Sequence, residues 1–375
     1  MADHDDSDPA AALRRSPLHE RHVTLGAKFA AFGGWEMPLE YAGGGVLKEH
    51  AAVRDSVGVF DVSHLGKVVV RGPGAAAFVN GCLAGDLDRI EPGQAQYTLC
   101  CDDATGGVVD DLIAYLRGPD EVLLIPNAAN AAEVCRRLRA AAPDGIEVAD
   151  QHADWAVVAV QGRRGDATLE AAGLPAGHAY MSFVEASYDG QPVVVCRTGY
   201  TGERGYELVV PSSGAEAVWD AVLAAGESYD VRACGLGARD TLRTEMGYPL
   251  HGQDISLDVT PVQARLGWAV GWSKPSFWGR TALVAERERG PDRVLRGLVA
   301  AGRGIARPGM RVLGADGGDV GVVTSGTFSP TLRKGVALAL VEPGVEIGAE
   351  LGVEVRNRRE PFVVTKPPFV EPSVR

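Results

Sequence analysis

The stretch Gly106-Gly107-Val108-Val109-Asp110-Asp111-Leu112-Ile113-Ala114-Tyr115-Leu116 constrains the fold more than any other part of the chain. A Gly-Gly pair is turn chemistry, and the β-branched, apolar run behind it reads as a strand. Period-two alternation puts Asp111, Ile113 and Tyr115 on one face, and Asp110, Leu112, Ala114 and Leu116 on the other. Both faces are mostly apolar, so the strand is expected to be buried on both sides with two carboxylates at its mouth. A buried carboxylate is costly unless paired or hydrogen-bonded, and it is the kind of group whose pKa is tuned for chemistry. The plainer alternative is a hairpin end with both aspartates in solvent.

At 375 residues the chain is too long for one core, and two or three domains are expected. Met1 to Asp8 is acidic and polar, neither a secretory signal nor an Arg-rich transit peptide. No apolar run approaches the roughly 18 residues of a membrane span. These features imply a cytoplasmic protein with no membrane partner. The six cysteines, Cys82, Cys100, Cys101, Cys135, Cys196 and Cys234, form no C-x-x-C pair, so buried thiols are expected rather than a metal or redox site. A net charge of -12 argues against nucleic acid as a partner. The charge is uneven, because Pro291 to Arg375 holds 12 Lys and Arg against 9 Asp and Glu, a net of +3.

Residues 1–15 read as a disordered tail. Strands are expected at Tyr97–Cys101, Glu121–Ile125, Trp155–Val160, Pro192–Thr198 and Tyr206–Val210, with helices at Ala128–Ala141, Ala215–Ala225 and Gly237–Met246. Gly72-Pro73-Gly74-Ala75-Ala76-Ala77 nearly matches a dinucleotide fingerprint, yet Pro73 removes a backbone donor from the loop and no regular βαβ pattern follows. Close helix–strand packing explains it better. From about Arg293 the texture changes to five short strands between Gly, Asp and Pro, the pattern of a small β-barrel over 293–375. Ala285–Asp292 is the expected linker, and 16–285 holds the rest.

Two later stretches belong with the Asp pair. Thr198-Gly199-Tyr200-Thr201-Gly202-Glu203-Arg204-Gly205-Tyr206-Glu207 is a glycine-spaced hairpin loop leading to a strand carboxylate on the face opposite Tyr206. A carboxylate among aromatics suits a flat heterocycle with paired N–H donors. An exposed edge glutamate is the plain alternative. Gly235-Leu236-Gly237-Ala238-Arg239-Asp240 opens a helix with Arg239 in its first turn, where the dipole disfavours a cation. Arg239 therefore needs a partner, either Glu207 or a ligand.

Together these stretches resemble the folate-dependent T-protein family of the glycine cleavage system. Gly34-Trp35-Glu36-Met37-Pro38, Phe60-Asp61-Val62-Ser63-His64 and Thr324-Ser325-Gly326-Thr327-Phe328-Ser329-Pro330-Thr331-Leu332 complete the pattern. The resemblance runs from about Pro17 to the C-terminus. It implies an α+β fold with three domains in a cloverleaf around a central folate channel, ending in a β-barrel. Whether the two domains of 16–285 interleave is left open. It implies Asp111 as the catalytic residue and Tyr97, Tyr115, Asn127, Tyr200, Glu207, Arg239 and Phe369 as folate-binding residues, with no metal. Leu65 stands where the family often has Met, and Pro126 where it often has Val.

The implied activity is tetrahydrofolate-dependent aminomethyl transfer. The aminomethyl group rides on the dihydrolipoyl arm of the H-protein partner. Ammonia leaves and 5,10-methylene-tetrahydrofolate forms. Expelling a group from S–CH2–N builds positive charge on the methylene, which a fixed carboxylate stabilises. The anionic glutamyl tail is expected near Arg303, Arg307, Arg333, Lys334 or Arg358. Two alternatives are a folate-dependent demethylase and a non-enzymatic folate-binding factor of iron–sulphur assembly. The first wants a flavin fingerprint and the second a Lys-Gly-Cys-x-x-Gly-Gln-Glu stretch, and neither is present.

Overall fold

The structure is a computed structural model that describes residues 12–374. Of the expected tail, residues 1–11 lie outside the described residues. Arg14–Arg15 are not tail but a short strand paired in parallel with Trp35–Glu36. The reason is non-local: the Arg14 guanidinium lies 5.9 Å over the Trp35 ring, and Arg15 Nε donates to Glu36 Oε2 at 3.1 Å.

Two sheets build the body. The five-stranded one is antiparallel, in the order Ala95–Cys101, Val108–Gly118, Glu121–Ile125, Val68–Arg71, Glu147–Asp150. The six-stranded one runs Phe183–Tyr188, Gln191–Cys196, Gly205–Pro211, Trp155–Gln161, Gly58–Asp61, Arg232–Cys234. The chain leaves the larger sheet after Gly58–Asp61, completes the whole five-stranded sheet, and returns at Trp155–Gln161 to pair with the strand it left. The two units therefore interleave. A closed six-stranded barrel follows, Val294–Ala300, Lys334–Val341, Asp319–Ser329, Arg311–Leu313, Glu350–Val355 and Arg358–Thr365. Arg311–Leu313 was not expected, since three residues are too few to show an alternation. The expected linker is also shorter than its composition suggests. The helix Arg280–Arg289 runs through most of it, anchored by buried Leu283 and Glu286.

The Val108–Gly118 strand is buried from both sides. Leu112, Ala114 and Leu116 pack with Val68, Val70, Val122, Leu124, Val134 and Leu138 under the unit's own helices. Tyr115 packs the other way, against Phe60, Val157, Val194, Val209 and Leu242 of the six-stranded unit. The Gly-Gly turn is a packing requirement as well as a bend. A Cβ at Gly107 would lie 1.8 Å from the carbonyl oxygen of Leu257, so only glycine admits that segment. The Gly72-Pro73-Gly74 loop is likewise a packing feature. A Cβ at Gly72 would meet Gly145 O at 2.1 Å, and the Gly74 N–H donates to Asp120 Oδ1 at 2.8 Å, placing a carboxylate where a pyrophosphate would need to sit.

The helix Leu236–Met246 joins the units. Buried Glu245 accepts from Ser329 Oγ at 2.5 Å and Thr331 Oγ1 at 3.0 Å on the barrel side, and from Arg54 Nη2 at 2.8 Å on the other. Burial alone would raise its pKa, but His50, Ser329 and Arg54 outweigh burial and hold it down to about 2. Glu245→Ala leaves Arg54 and His50 facing an empty buried site, so we expect a loss of about 3–5 kcal/mol in denaturant unfolding at pH 7. The folded-state pKa lies below the unfolded value, so the contribution is complete above the ordinary carboxylate range. It is lost as pH falls toward 2. A loss below about 1 kcal/mol at pH 7 would show that the barrel docks without this node.

All six cysteines are free and buried. Among the described residues no helix is long and apolar enough to cross a membrane.

Candidate active site

Asp111 sits half-buried on the site face of its strand, and Asp110, one residue earlier, is fully buried on the other face. The Tyr97 hydroxyl, from the adjacent strand, donates to Asp111 Oδ2 at 3.0 Å. Asn127 Nδ2 donates to Asp111 Oδ1 at 2.8 Å and to Asp110 Oδ1 at 2.9 Å, bridging the two carboxylates. Burial pushes both carboxyls above their usual range, and for Asp110 the adjacent charge of Asp111 adds to it. Burial also raises the Tyr97 and Tyr115 phenols far enough to stay neutral.

The alternation of the strand carries Tyr115 to the same side, deeper in. Thr198 Oγ1 donates to Glu207 Oε2 at 2.5 Å, which spends its only hydrogen, so the Tyr115 hydroxyl 3.0 Å away is the donor to Thr198. Glu207 lies mid-strand in Gly205–Pro211 and is 9% exposed. Its neighbours Tyr206 and Leu208 point into the opposite core, as the alternation requires. Tyr200, on the glycine loop, donates its hydroxyl to Pro249 O and stacks on Tyr248 at 5.6 Å. The Arg239 guanidinium lies over the Tyr200 ring, 4.7 Å from its centroid. Arg239 is not hydrogen-bonded to Glu207. Burial lowers its pKa and the nearby Glu207 charge partly restores it. Among the described residues neither Glu207 Oε1 nor the Arg239 guanidinium has a hydrogen-bond partner, and the two side chains are near enough for the Glu207 charge to act on Arg239.

Supporting groups fix the walls. Lys67 Nζ donates to the carbonyls of Ser63 and Leu65 at 2.8 Å each, and Leu65 packs on the cluster that holds Tyr115. Burial, with the Arg239 charge next, pushes His64 down to about 3, so its ring is neutral. Phe369 is set apart. Its N–H donates to Glu245 O at 2.8 Å and its ring lies against Gly297 of the barrel. No hydrogen bond or ring contact among the described residues joins it to Asp111, Tyr200 or Glu207.

Sequence reasoning missed several members of this constellation. Trp268 stacks on Tyr97 at 5.5 Å and is 67% exposed, a large indole left in solvent beside the Asp111 partner. Asn130 and His251 extend the hydrogen bonds behind Asp110. Thr198 enters the sequence reading only as the junction of a strand and a loop. A large aromatic in the non-periodic stretch after Gly247 was the one available signal for Trp268.

The geometry agrees with what comparison with known proteins finds. The GCVT N-terminal domain matches residues 18–274, and the glycine cleavage T-protein C-terminal barrel domain matches residues 293–371. The chain belongs to the glycine cleavage T-protein family. It is 64% identical over 363 residues to an aminomethyltransferase of Parafrankia sp., covering 97% of this chain and 99% of that one. An aminomethyltransferase of Mycobacterium tuberculosis is 57% identical over 365 residues, covering 97% and 98%. The crystal structure of glycine cleavage system aminomethyltransferase T from Bartonella henselae superposes with a TM-score of 0.90 at 36% identity, covering 96% of this chain and 99% of that one. The mixed α/β body with its closed barrel is thus the T-protein fold. The chain is an enzyme, an aminomethyltransferase of glycine cleavage, and tetrahydrofolate is a substrate of its family.

Proposed function

We propose that this site moves the methylene carbon of an aminomethyl group, presented as S–CH2–NH3+ on the dihydrolipoyl arm of H-protein, to tetrahydrofolate in the cytoplasm. Ammonia is released and 5,10-methylene-tetrahydrofolate forms. The observation that supports this most is the pairing of one accessible carboxylate, Asp111, with a second, Glu207, that has an oxygen free for a ligand.

Glu207 Oε1 accepts from the paired N–H donors of the pterin, while Thr198 and Tyr115 hold Oε2 in place. Arg239, oriented by its stack on Tyr200, donates to the pterin carbonyl. Asp111 faces the carbon that turns cationic as its bond to nitrogen breaks. A fixed negative neighbour in a site shielded from water lowers that barrier. Tyr97 and Asn127 keep the carboxylate aimed, so little reorganisation is needed at the moment of reaction. Phe369, whose ring lies beside Gly297 of the barrel, is assigned to the folate-binding set by family pattern. The basic residues of the barrel receive the glutamyl tail.

Calorimetric titration of tetrahydrofolate tests the arrangement. Arg239→Met removes a charged donor with little change in volume, and affinity is expected to fall about 10- to 100-fold. Unchanged affinity would put the pterin elsewhere.

A further inference from the structure

Lys67 is a fully buried lysine that has no carboxylate partner among the described residues. Its ammonium meets three backbone carbonyls instead. Nζ lies 2.8 Å from Ser63 O, 2.8 Å from Leu65 O and 3.1 Å from His152 O. An ammonium has three hydrogens, so each carbonyl takes one. The rest of the turn is closed by other donors. The Leu65 N–H donates to Val62 O at 3.0 Å, and His152 Nε2 lies 2.8 Å from His64 O. A carbonyl oxygen only accepts, so that ring nitrogen is the donor. Every carbonyl from Val62 to Leu65 is thus met, two of them by one side chain.

The turn reaches the candidate active site on two sides. Leu65 packs with Tyr115, whose hydroxyl supports Thr198 and through it Glu207. The Gly66 N–H donates to Pro126 O at 2.8 Å, and the next residue, Asn127, donates to Asp111. The approach is close, because a Cβ on Gly66 would lie 2.5 Å from Ala131 Cβ and 2.7 Å from Pro126 Cγ. Removing one proton from Lys67 breaks the count of donors. A neutral amine has two N–H groups and a lone pair, so one buried carbonyl of the three loses its donor and faces a lone pair.

We propose that Lys67 is a positioning residue for tetrahydrofolate binding and acts as a pH-sensitive latch: its ammonium holds the Val62–Gly66 turn against Tyr115 and Pro126, and its amine releases it. This rests on the function proposed above. Burial pushes Lys67 down to about 7, against Asp61 and Asp150, which favour the charge. Asp61 ends the strand before the turn, and Asp150 ends the strand Glu147–Asp150. The other groups facing the ammonium are His64 on the turn and His152. Burial first, with neighbouring cations, holds His64 down to about 3 and His152 below its ordinary value, so both rings are neutral where the lysine titrates. Arg117 lines the small cavity beside the lysine, with Trp155 and Val194.

The experiment is calorimetric titration of the full chain with tetrahydrofolate at about pH 6 and at about pH 8.5. Wild-type Kd is expected to weaken about threefold to tenfold between them, as one buried hydrogen bond is lost. Lys67→Met has no donor at either pH and Lys67→Arg has donors that do not titrate, so the Kd of each is expected to be the same at both. A lysine that served the fold alone would leave the wild-type Kd flat with pH, and that result overturns the proposal. A weakening of the same size in Lys67→Met or Lys67→Arg assigns it to another group and overturns it too. A wild type that binds tetrahydrofolate at neither pH removes the function above, and this inference with it. A wild type that binds equally well at both removes this inference alone. Where the variants fold poorly, wild type in two buffers of unlike ionisation enthalpy at about pH 7.5 decides the matter. Binding that tightens as pH falls takes up protons, so net uptake is expected, and none, or release, contradicts the proposal.

Discussion

Asp111→Asn is expected to lower kcat by about 10²- to 10³-fold while tetrahydrofolate affinity stays within about threefold. The substitution keeps the shape of the side chain and both of its neighbours. Tyr97 retains an oxygen to donate to, while Asn127 Nδ2, which would face the new amide nitrogen, keeps its other acceptors in Asp110 Oδ1 and the backbone carbonyl of residue 111. What disappears is the negative charge beside the carbon as it turns cationic. An interaction made only as charge develops is lost from kcat and not from binding. Rapid-quench measurement of a single turnover separates the chemical step from product release. Turnover within a few-fold of wild type would take the central role away from Asp111.

Glu207→Ala is expected to weaken tetrahydrofolate binding by about 10²-fold or more, beyond routine calorimetric detection for a moderately tight ligand. Hydrogen bonds to a charged partner are worth about 1.5–3 kcal/mol each, and the pterin places two N–H groups on one carboxylate. The substitution has a second cost, because the Thr198 hydroxyl loses its acceptor in a buried setting. Glu207→Gln divides the two effects. It keeps an oxygen for one donor but turns an N–H toward the other, so its loss should fall between wild type and alanine. Near-normal affinity in Glu207→Ala would mean that the pterin binds away from this strand.

Much of this site was legible because strand alternation is rigid. Once Val108–Gly118 is a strand buried on both sides, Asp111 and Tyr115 must share a face, and Glu207 must oppose Tyr206. The barrel was legible from its turn spacing. What stayed hidden depends on contacts distant in sequence. The interleaving of the two units follows from Gly58–Asp61 pairing with Trp155–Gln161, about a hundred residues on, which no local pattern encodes. The partner of Arg239 was undecided because a helix position fixes where a guanidinium starts and not where it ends. The Tyr200 ring, not Glu207, is what it touches. The linker was misjudged because charge and a nearby Gly and Pro resemble loop composition, while buried Leu283 and Glu286 are what make Arg280–Arg289 a helix. Trp268 and His251 come from a segment with no periodicity, held by backbone turns against the Gly-Gly bend.

One measurement tests the central claim most directly. Aminomethyl-loaded H-protein and tetrahydrofolate are mixed with the wild-type chain, and with Asp111→Asn at equal folate occupancy, and both products are followed. The account predicts ammonia and 5,10-methylene-tetrahydrofolate in equal amounts from wild type, and about a hundredth of that rate or less from Asp111→Asn. Equal rates from the two proteins, or ammonia without the folate product in wild type, would contradict it.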